Sequence, residues 1–304
     1  MTVDGDIIVL DRKHSDQETD LKDQPNSYRE ISEQDLADVA TLLTEGFPRR
    51  RLDYWRRGFR NMHALPPVPG YPRYGYVLEA GGQLQGVILL LTSQQGDAAP
   101  RSCLSSWYVR EPYRTKAPIL YKLATMHEAG PHVNLSPSAH VVRMITRAFG
   151  FRSYTSGVCL VDATAALRRA SGWRLSRFET GMTRDLPTRV ADLARRHLGY
   201  GCKVLLLDSQ VASPELLIYR LKLVKEFIPC AQILHGTPDH VLAAAGPLMR
   251  HLLGQGILLA QVDVGEATDT AGFRCYPGRN VRYVKGGVPA VGDLLDSEFA
   301  VFGP

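Results

Sequence analysis

The segment at 103–123 places a strand, a tight turn and a helix in immediate succession. An apolar, strand-like run ends at Val109, Pro-Tyr-Arg follows at 112–114, and an amphipathic helix starts near Lys116. The start of a helix exposes unpaired backbone N–H groups and the positive end of the helix dipole. Because both favour a phosphate group, the sequence predicts an anion-binding turn at 114–119.

Apolar spacing and turn residues predict the order of elements in the first half of the chain. Gly81-Gly82 joins two alternating segments into a β-hairpin. The predicted elements are a strand at 27–31, helices at 32–43 and 51–62, hairpin strands at 73–80 and 84–92, a strand at 102–109, a helix at about 117–128, a strand at 132–135, a helix at 138–149 and a strand at 156–161. A doubly wound parallel sheet would not contain the central hairpin, so the order favours a mixed sheet flanked by helices, an α/β fold of the mixed α+β kind.

This element order resembles that of the GNAT-type N-acetyltransferases, the acyl-CoA N-acyltransferase superfamily. The same family pattern includes a strand ending in Val109, the pair Tyr113-Arg114, and a Gly150-Phe151 step that leads from a helix into a strand. The resemblance covers roughly residues 28–163, about half of the chain. It identifies the chain as a divergent member and implies a GNAT-like domain there.

The resemblance implies that acetyl-CoA or another acyl-CoA is the co-substrate, with no metal ion. The pyrophosphate would lie on the turn, whose cofactor-binding residues are Arg114, Thr115, Lys116, Ala117 and Ile119. In this turn the chain departs from the family, because Thr115, Ala117 and Ile119 stand where the family carries glycines. A side chain at such a position crowds a close phosphate approach.

The same resemblance implies how the rest of the co-substrate would lie. The pantetheine would run beside the strand end at Trp107 and Val109, hydrogen-bonding as an added strand does. Asn134 follows a short strand where the family's sheet opens. It would either hydrogen-bond the co-substrate or form an Asx turn before Pro137.

Three residues are candidates for proton transfer. The family's Tyr, four residues before the Gly-Phe pair, corresponds here to Thr146, whose hydroxyl is a poorer acid. Tyr154, just beyond that pair, is either the proton donor or a packing residue. Glu79, at the end of a hairpin strand, is either the base or a solvated carboxylate.

The densest run of charge is Arg49-Arg50-Arg51, and further arginines follow on the predicted helix at 51–62. In the family the first two helices border the acceptor site, so these arginines would suit an anionic acceptor. The alternative is an amphipathic helix whose arginines only face water.

The second half of the chain repeats the pattern loosely. A helix at 190–198, strands at 203–207 and 230–234, a helix ending at about 253 and a strand at 257–264 are predicted. They indicate a second, degenerate GNAT-like module or an α/β extension that completes the first sheet; the alternative is a wholly unrelated α/β domain. The predicted domains are a flexible acidic tail at 1–26, a GNAT-like domain at 27–165 and an α/β module at 166–304.

Composition bounds the class of protein. The chain has 304 residues, 44% hydrophobic and 22% charged, with a net charge of +5. This charge is mild and mixes both signs, so it does not demand a nucleic-acid partner. The apolar runs are too short to cross a bilayer. Five scattered cysteines without a CxxC pair favour reduced thiols in a cytoplasmic protein and disfavour a zinc site.

Taken together, these features predict an N-acyltransferase. It would move an acyl group, typically acetyl, from acyl-CoA to a small-molecule or peptide amine by direct attack in a ternary complex. The alternative is a non-catalytic protein of degenerate acyltransferase fold that binds a ligand or protein partner. The sequence leaves open whether the chain forms a homo-oligomer.

Overall fold

The computed structural model describes residues 26–168, 172–178, 187–209 and 213–303. Apart from Asn26, the predicted acidic tail at 1–26 lies outside these residues. Across them, two seven-stranded sheets are flanked by helices, which confirms the predicted mixed α+β class.

The first half forms the elements that the sequence predicts, with small changes of boundary. In chain order they are β1 (Ser27–Glu30), α1 (Leu36–Gly46), α2 (Leu52–His63), β2 (Gly75–Ala80), β3 (Gln83–Ser93), β4 (Arg101–Val109), a 3-10 turn (Glu111–Lys116), α3 (Ala117–Ala124), β5 (His132–Asn134), α4 (Ala139–Ala148) and β6 (Arg152–Ser153). The hairpin β2–β3 and β4 share one sheet, and the helix after β4 begins at Ala117, as predicted.

The second half contains the predicted helices and strands and several further strands. Its elements are β7 (Gly157–Asp162), β8 (Trp173–Arg177), α5 (Thr188–Gly199), β9 (Lys203–Ser209), β10 (Glu215–Val224), β11 (Ile228–His235), α6 (Pro238–Ala243), α7 (Ala245–Leu253), β12 (Leu259–Val264), β13 (Arg274–Pro277), β14 (Tyr283–Lys285) and α8 (Glu298–Val301). The sequence did not predict strands β6, β8, β10, β13 and β14 or helix α8.

Each sheet contains one strand from the other predicted domain: β14 lies in the first sheet and β7 lies in the second. The first sheet has the order β1-β2-β3-β4-β5-β14-β6, and the second has the order β13-β7-β12-β11-β10-β9-β8. The predicted strand at 156–161 is present as β7, but it pairs with β12 and β13 rather than closing the first sheet. Because of this exchange, the domain boundary at 165 stays a prediction.

A shared apolar core joins the two sheets. Helices α1 and α2 pack on one face of the first sheet, and the same cluster takes in Leu216, Ile218 and Leu234 from the second sheet. The C-terminal segment enters this core at Phe302. A Cβ on Gly58 of α2 would lie 1.9 Å from the Phe302 ring, so the glycine permits that close contact. The segment that contains Phe302 is therefore held between the sheets.

Two of the five cysteines form a disulfide, whereas the sequence predicted reduced thiols. Cys159 on β7 and Cys275 on β13 lie directly opposite one another and are joined as a disulfide. The two residues are 116 positions apart, so local spacing carried no sign of the pair. The remaining cysteines are buried and free.

Candidate functional site

Strands β4 and β5 part in the middle of the first sheet. They pair in parallel only through Ser102–Leu104 and His132–Asn134. Strand β5 ends there, whereas β4 continues to Val109. Along its β5 side, residues 105–109 of β4 therefore have no strand partner in the described ranges, and backbone groups on that edge are available for a ligand.

A β-bulge changes the direction of β4 at the same place. The register against β3 passes from Leu89 opposite Ser105 to Val87 opposite Tyr108, so two residues of β4 face one residue of β3. Ser106 takes a positive φ of 50° to make this turn. Bulges of this kind are common beside active sites, because they redirect backbone and side-chain groups.

A cavity of about 1270 Å³ opens where the two strands part. It is walled by β4, the turn after β5, α3, the start of α2, strands β10 and β11, and the C-terminal segment. A second cavity of about 430 Å³ adjoins it, and the two share Ser136, Pro137, Lys222, Gln232 and Phe299. Together they form a cleft between the two sheets.

Glu298, the first residue of α8, is the carboxylate at the parted strands. The Ser105 hydroxyl donates to its Oε2 at 2.6 Å and the Ser136 hydroxyl donates to its Oε1 at 2.5 Å. Burial raises the pKa of Glu298, while these hydrogen bonds and the nearby charge of Arg282 partly oppose that rise. A carboxylate with a raised pKa holds a proton more tightly than a solvated one, and it is therefore the stronger base.

Tyr121 of α3 and Asn134 of β5 form the opposite wall. The Asn134 amide donates to the Tyr121 hydroxyl at 3.2 Å, and the Tyr121 ring packs against Trp107 with ring centres 5.2 Å apart. Burial raises the pKa of Tyr121, so its hydroxyl keeps its proton as a donor. Asn134 and Trp107, both predicted to bind the co-substrate, therefore lie on the cavity.

The predicted pyrophosphate turn is exposed at the end of β4. Arg114, Thr115 and Lys116 all face solvent on the 3-10 turn. Arg114 is 3.6 Å from Glu111, a solvated ion pair of little stabilising value. The other three predicted cofactor residues are arranged around the start of α3: Ala117 is half-buried, Ile119 is exposed and Val109 is buried in the core beneath.

The three residues predicted for proton transfer do not line either cavity. Glu79 accepts a hydrogen bond from Arg29 at 2.9 Å, at the far edge of the sheet. The Thr146 hydroxyl donates to the Val142 carbonyl on the exposed side of α4. Tyr154 packs against the shared core, with its hydroxyl buried. Glu79 and Thr146 thus each make a hydrogen bond outside the cavity lining, whereas the Tyr154 hydroxyl has no hydrogen-bond partner among the described residues.

The arginine run divides between the cavity and the solvent. Arg49 and Arg50 line the larger cavity, and the Arg50 guanidinium lies 4.5 Å from the centre of the Tyr54 ring. Arg51 is exposed just before α2 and does not line it.

Sequence reasoning missed the residues that converge on the parted strands. Glu298 is 193 positions from Ser105, so no local pattern links the two. The paired serines 105 and 106 in an otherwise apolar strand were the one local signal of a polar site. Tyr121 sits on the predicted helix, where its aromatic ring resembled an ordinary core residue.

No metal cluster accompanies this site in the ranges described, where no group of three or more His, Cys, Asp or Glu residues is placed to hold an ion. Among the same residues, none of the helices has the length and apolar character needed to cross a membrane.

Several solved structures are similar to this chain. A GCN5-related N-acetyltransferase from Anabaena variabilis ATCC 29413 has a TM-score of 0.55 at 9% identity, with 90% of this chain and 74% of that one covered. A conserved protein of unknown function from Enterococcus faecalis V583, titled a probable N-acyltransferase, also has a TM-score of 0.55, at 10% identity and the same coverage. A putative acetyltransferase from Pyrococcus horikoshii has a TM-score of 0.51 at 11% identity, over 89% of this chain and 92% of that one.

These matches show the fold. The chain has the GCN5-related N-acetyltransferase fold, as the sequence predicted, and the low identities make it a divergent example. The matches extend across both sheets, which is consistent with two GNAT-like modules. No protein-family profile and no curated protein matches the sequence.

Proposed function

We propose that this protein transfers an acyl group from acyl-CoA to an amine acceptor. The observation that carries the proposal is the parting of β4 and β5 beside a bulge, at the mouth of a cavity that contains a half-buried carboxylate. A thioester and an amine must meet in such a cleft with their reacting atoms held close together. The similar solved structures support the same activity through their fold alone.

The residues present fit an acyl-CoA in part. The unpaired edge of β4 at 105–109 offers backbone groups to the amides of pantetheine. Arg114 and Lys116 are free to reach phosphate oxygens from the exposed turn. The turn itself has side chains in place of the family's glycines, so its backbone is less open to phosphate.

Acyl-CoA supplies an electrophilic thioester carbonyl, and side chains of this protein would accept and donate the protons. Glu298 would accept a proton from the attacking amine as the new C–N bond forms. Backbone groups at the Ser106 bulge would face the carbonyl oxygen as negative charge develops there. The C–S bond then breaks, and the leaving thiolate of CoA takes a proton, which the Tyr121 hydroxyl on the cavity wall would donate.

The non-catalytic alternative has one specific observation in its favour. The turn lacks glycines, and its two cations, Arg114 and Lys116, face solvent without a preformed cradle. A protein of this kind would bind a ligand or partner in the cavity and leave acyl-CoA unchanged.

Release of free CoA from acetyl-CoA, measured across a panel of amines, separates the two. We expect amine-dependent release by the wild type. Glu298→Gln should lower kcat/KM by roughly 10²- to 10⁴-fold, the usual contribution of a general base, while acetyl-CoA still binds. Glu226→Gln, at an exposed carboxylate on the same cavity's rim, is the matched control and should retain activity. Binding of acetyl-CoA without turnover of any amine would favour the non-catalytic protein.

A further inference from the structure

One face of the second sheet changes from apolar to polar along its strands. Side chains alternate between the faces of a strand, so Ile218 and Lys222 of β10 share a face, as do Leu234 and Gln232 of β11. At one end of that face, Ile218 and Leu234 belong to the core shared by the two sheets. At the other end, the lysine and the glutamine line both cavities. Buried polar groups are costly to fold, so this polar end needs an explanation.

Lys222 has no carboxylate partner in the part of the chain that the structure describes. Its ammonium donates to the Gln261 amide oxygen at 2.7 Å. The neighbouring acidic group Asp263 is instead held by Arg282, whose Nε and Nη2 groups donate to it at 2.7 and 3.1 Å. Lys222 is half-buried, and this burial lowers its pKa. A positive charge in this position attracts an anion.

Gln261 adds a second donor. A lysine ammonium can only donate, so the Gln261 amide must turn its oxygen toward Lys222 and its NH₂ group away. That NH₂ group is buried, and it has no hydrogen-bond partner among the described residues. The side chain is only 4% exposed, and Gln232, which pairs with it across β11 and β12, is 6% exposed. Lys222, Gln232 and Gln261 therefore form a wall that provides one cation and an amide donor without a partner among the described residues.

We propose that this wall, formed by Lys222, Gln232 and Gln261, binds a carboxylate on the amine acceptor, so that the acceptor is an amino acid or a close analogue. The inference rests on the proposed function. A single ammonium with neutral amide donors matches the single charge of a carboxylate, whereas a phosphate dianion calls for more cations. The guanidinium of Arg282 is already occupied by Asp263 and by the Leu135 carbonyl.

The geometry of the cleft places the two ends of such an acceptor. The smaller cavity, with Gln261 in its wall, joins the larger one through Ser136, Lys222 and Phe299. Ser136 also donates to Glu298. A carboxylate beside Lys222 would therefore leave the amine of the same molecule on the side of Glu298, the base.

The test compares acceptors that differ only in the carboxylate. The common α-amino acids and their decarboxylated amines are assayed for CoA release with wild type and Lys222→Met. We expect the wild type to prefer the carboxylate-bearing member of at least one pair. The variant should lose about 10- to 100-fold in kcat/KM on that member, mainly through KM, as for a hydrogen bond to a charged group. Its rate on the amine should be unchanged. Lys203→Met, an exposed lysine of the same sheet, is the matched control and should behave as the wild type.

A binding experiment separates failure of this inference from failure of the proposed function. The N-acetyl derivatives of the same amino acids and amines are titrated calorimetrically, since they need no turnover. Carboxylate-dependent binding that Lys222→Met abolishes, without CoA release from any acceptor, would support the site and overturn the acyltransferase. Turnover with no carboxylate preference, or with a preference that the variant retains, would overturn the site and leave the acyltransferase standing. Neither turnover nor binding would overturn both.

Discussion

Replacing Glu298 by Gln is expected to stabilise the protein while it removes the proposed base. Burial raises the pKa of Glu298 in the folded protein. The native state therefore binds this proton more tightly than the unfolded chain does. The corresponding stabilisation is fully present below the unfolded pKa and is lost as pH rises through the folded pKa.

Glutamine can keep both contacts of the carboxylate. Its amide oxygen accepts from one serine hydroxyl, and its NH₂ group donates to the oxygen of the other, at Ser105 and Ser136. Because Gln does not titrate, the difference in unfolding free energy between variant and wild type isolates the Glu298 proton. We expect a constant difference below about pH 4. Above it the difference should shift in favour of the variant by up to about 1.36 kcal/mol per pH unit, until the folded pKa is passed.

Urea unfolding of both proteins at closely spaced pH values measures this difference. The absolute stability of each protein changes with pH for many reasons, but groups common to both cancel in the comparison. A difference that stays flat from about pH 4 to about pH 8 would refute the reasoning, and so would one that moves against the variant as pH rises. The carboxylate would then be solvated or compensated in the folded protein.

Three further variants test the predicted co-substrate turn and the arginine run. The double variant Arg114→Ala with Lys116→Ala should weaken acetyl-CoA binding by roughly 1–3 kcal/mol in calorimetry. It should weaken binding of the phosphate-free pantetheine fragment less. Equal losses for the two ligands would place the phosphates elsewhere. Arg50→Gln should raise the KM of an anionic acceptor several-fold at low salt, an effect that screening at about 1 M salt removes. Arg51 does not line the cavity, so Arg51→Gln should leave that KM unchanged. If both variants changed the KM equally, neither arginine would contact the acceptor directly.

Local sequence patterns predicted the strands and helices that surround the site, but not the residues proposed to carry out its chemistry. The strand at 102–109, the helix from Ala117 and the hairpin were predictable, because apolar spacing and the Gly81-Gly82 turn act over a few residues. The unpaired strand edge follows from that frame. Asn134 lines the cavity because it ends the short strand next to it, and its contact with the co-substrate stays a prediction.

The missed features depend on contacts between distant parts of the chain. Strand β14 has only three residues, Tyr283–Lys285, and forms because β5 and β6 leave a space between them. Glu298 reaches Ser105 because the C-terminal segment packs into the core shared by the sheets. Glu79 satisfies the local rule for a strand-end carboxylate but pairs with Arg29 of the neighbouring strand. No single-sequence pattern records any of these pairings.

Backbone hydrogen exchange of β4, with and without acetyl-CoA, tests the central claim most directly. If the co-substrate pairs with the open edge of β4, those amides of residues 105–109 that face the gap should exchange more slowly when acetyl-CoA is present. Amides of β10 and β11, in the other sheet, should be little affected by acetyl-CoA alone. Acetyl-CoA that binds without slowing any amide at 105–109, or that slows only a distant segment, would contradict an acyl-CoA site between β4 and β5.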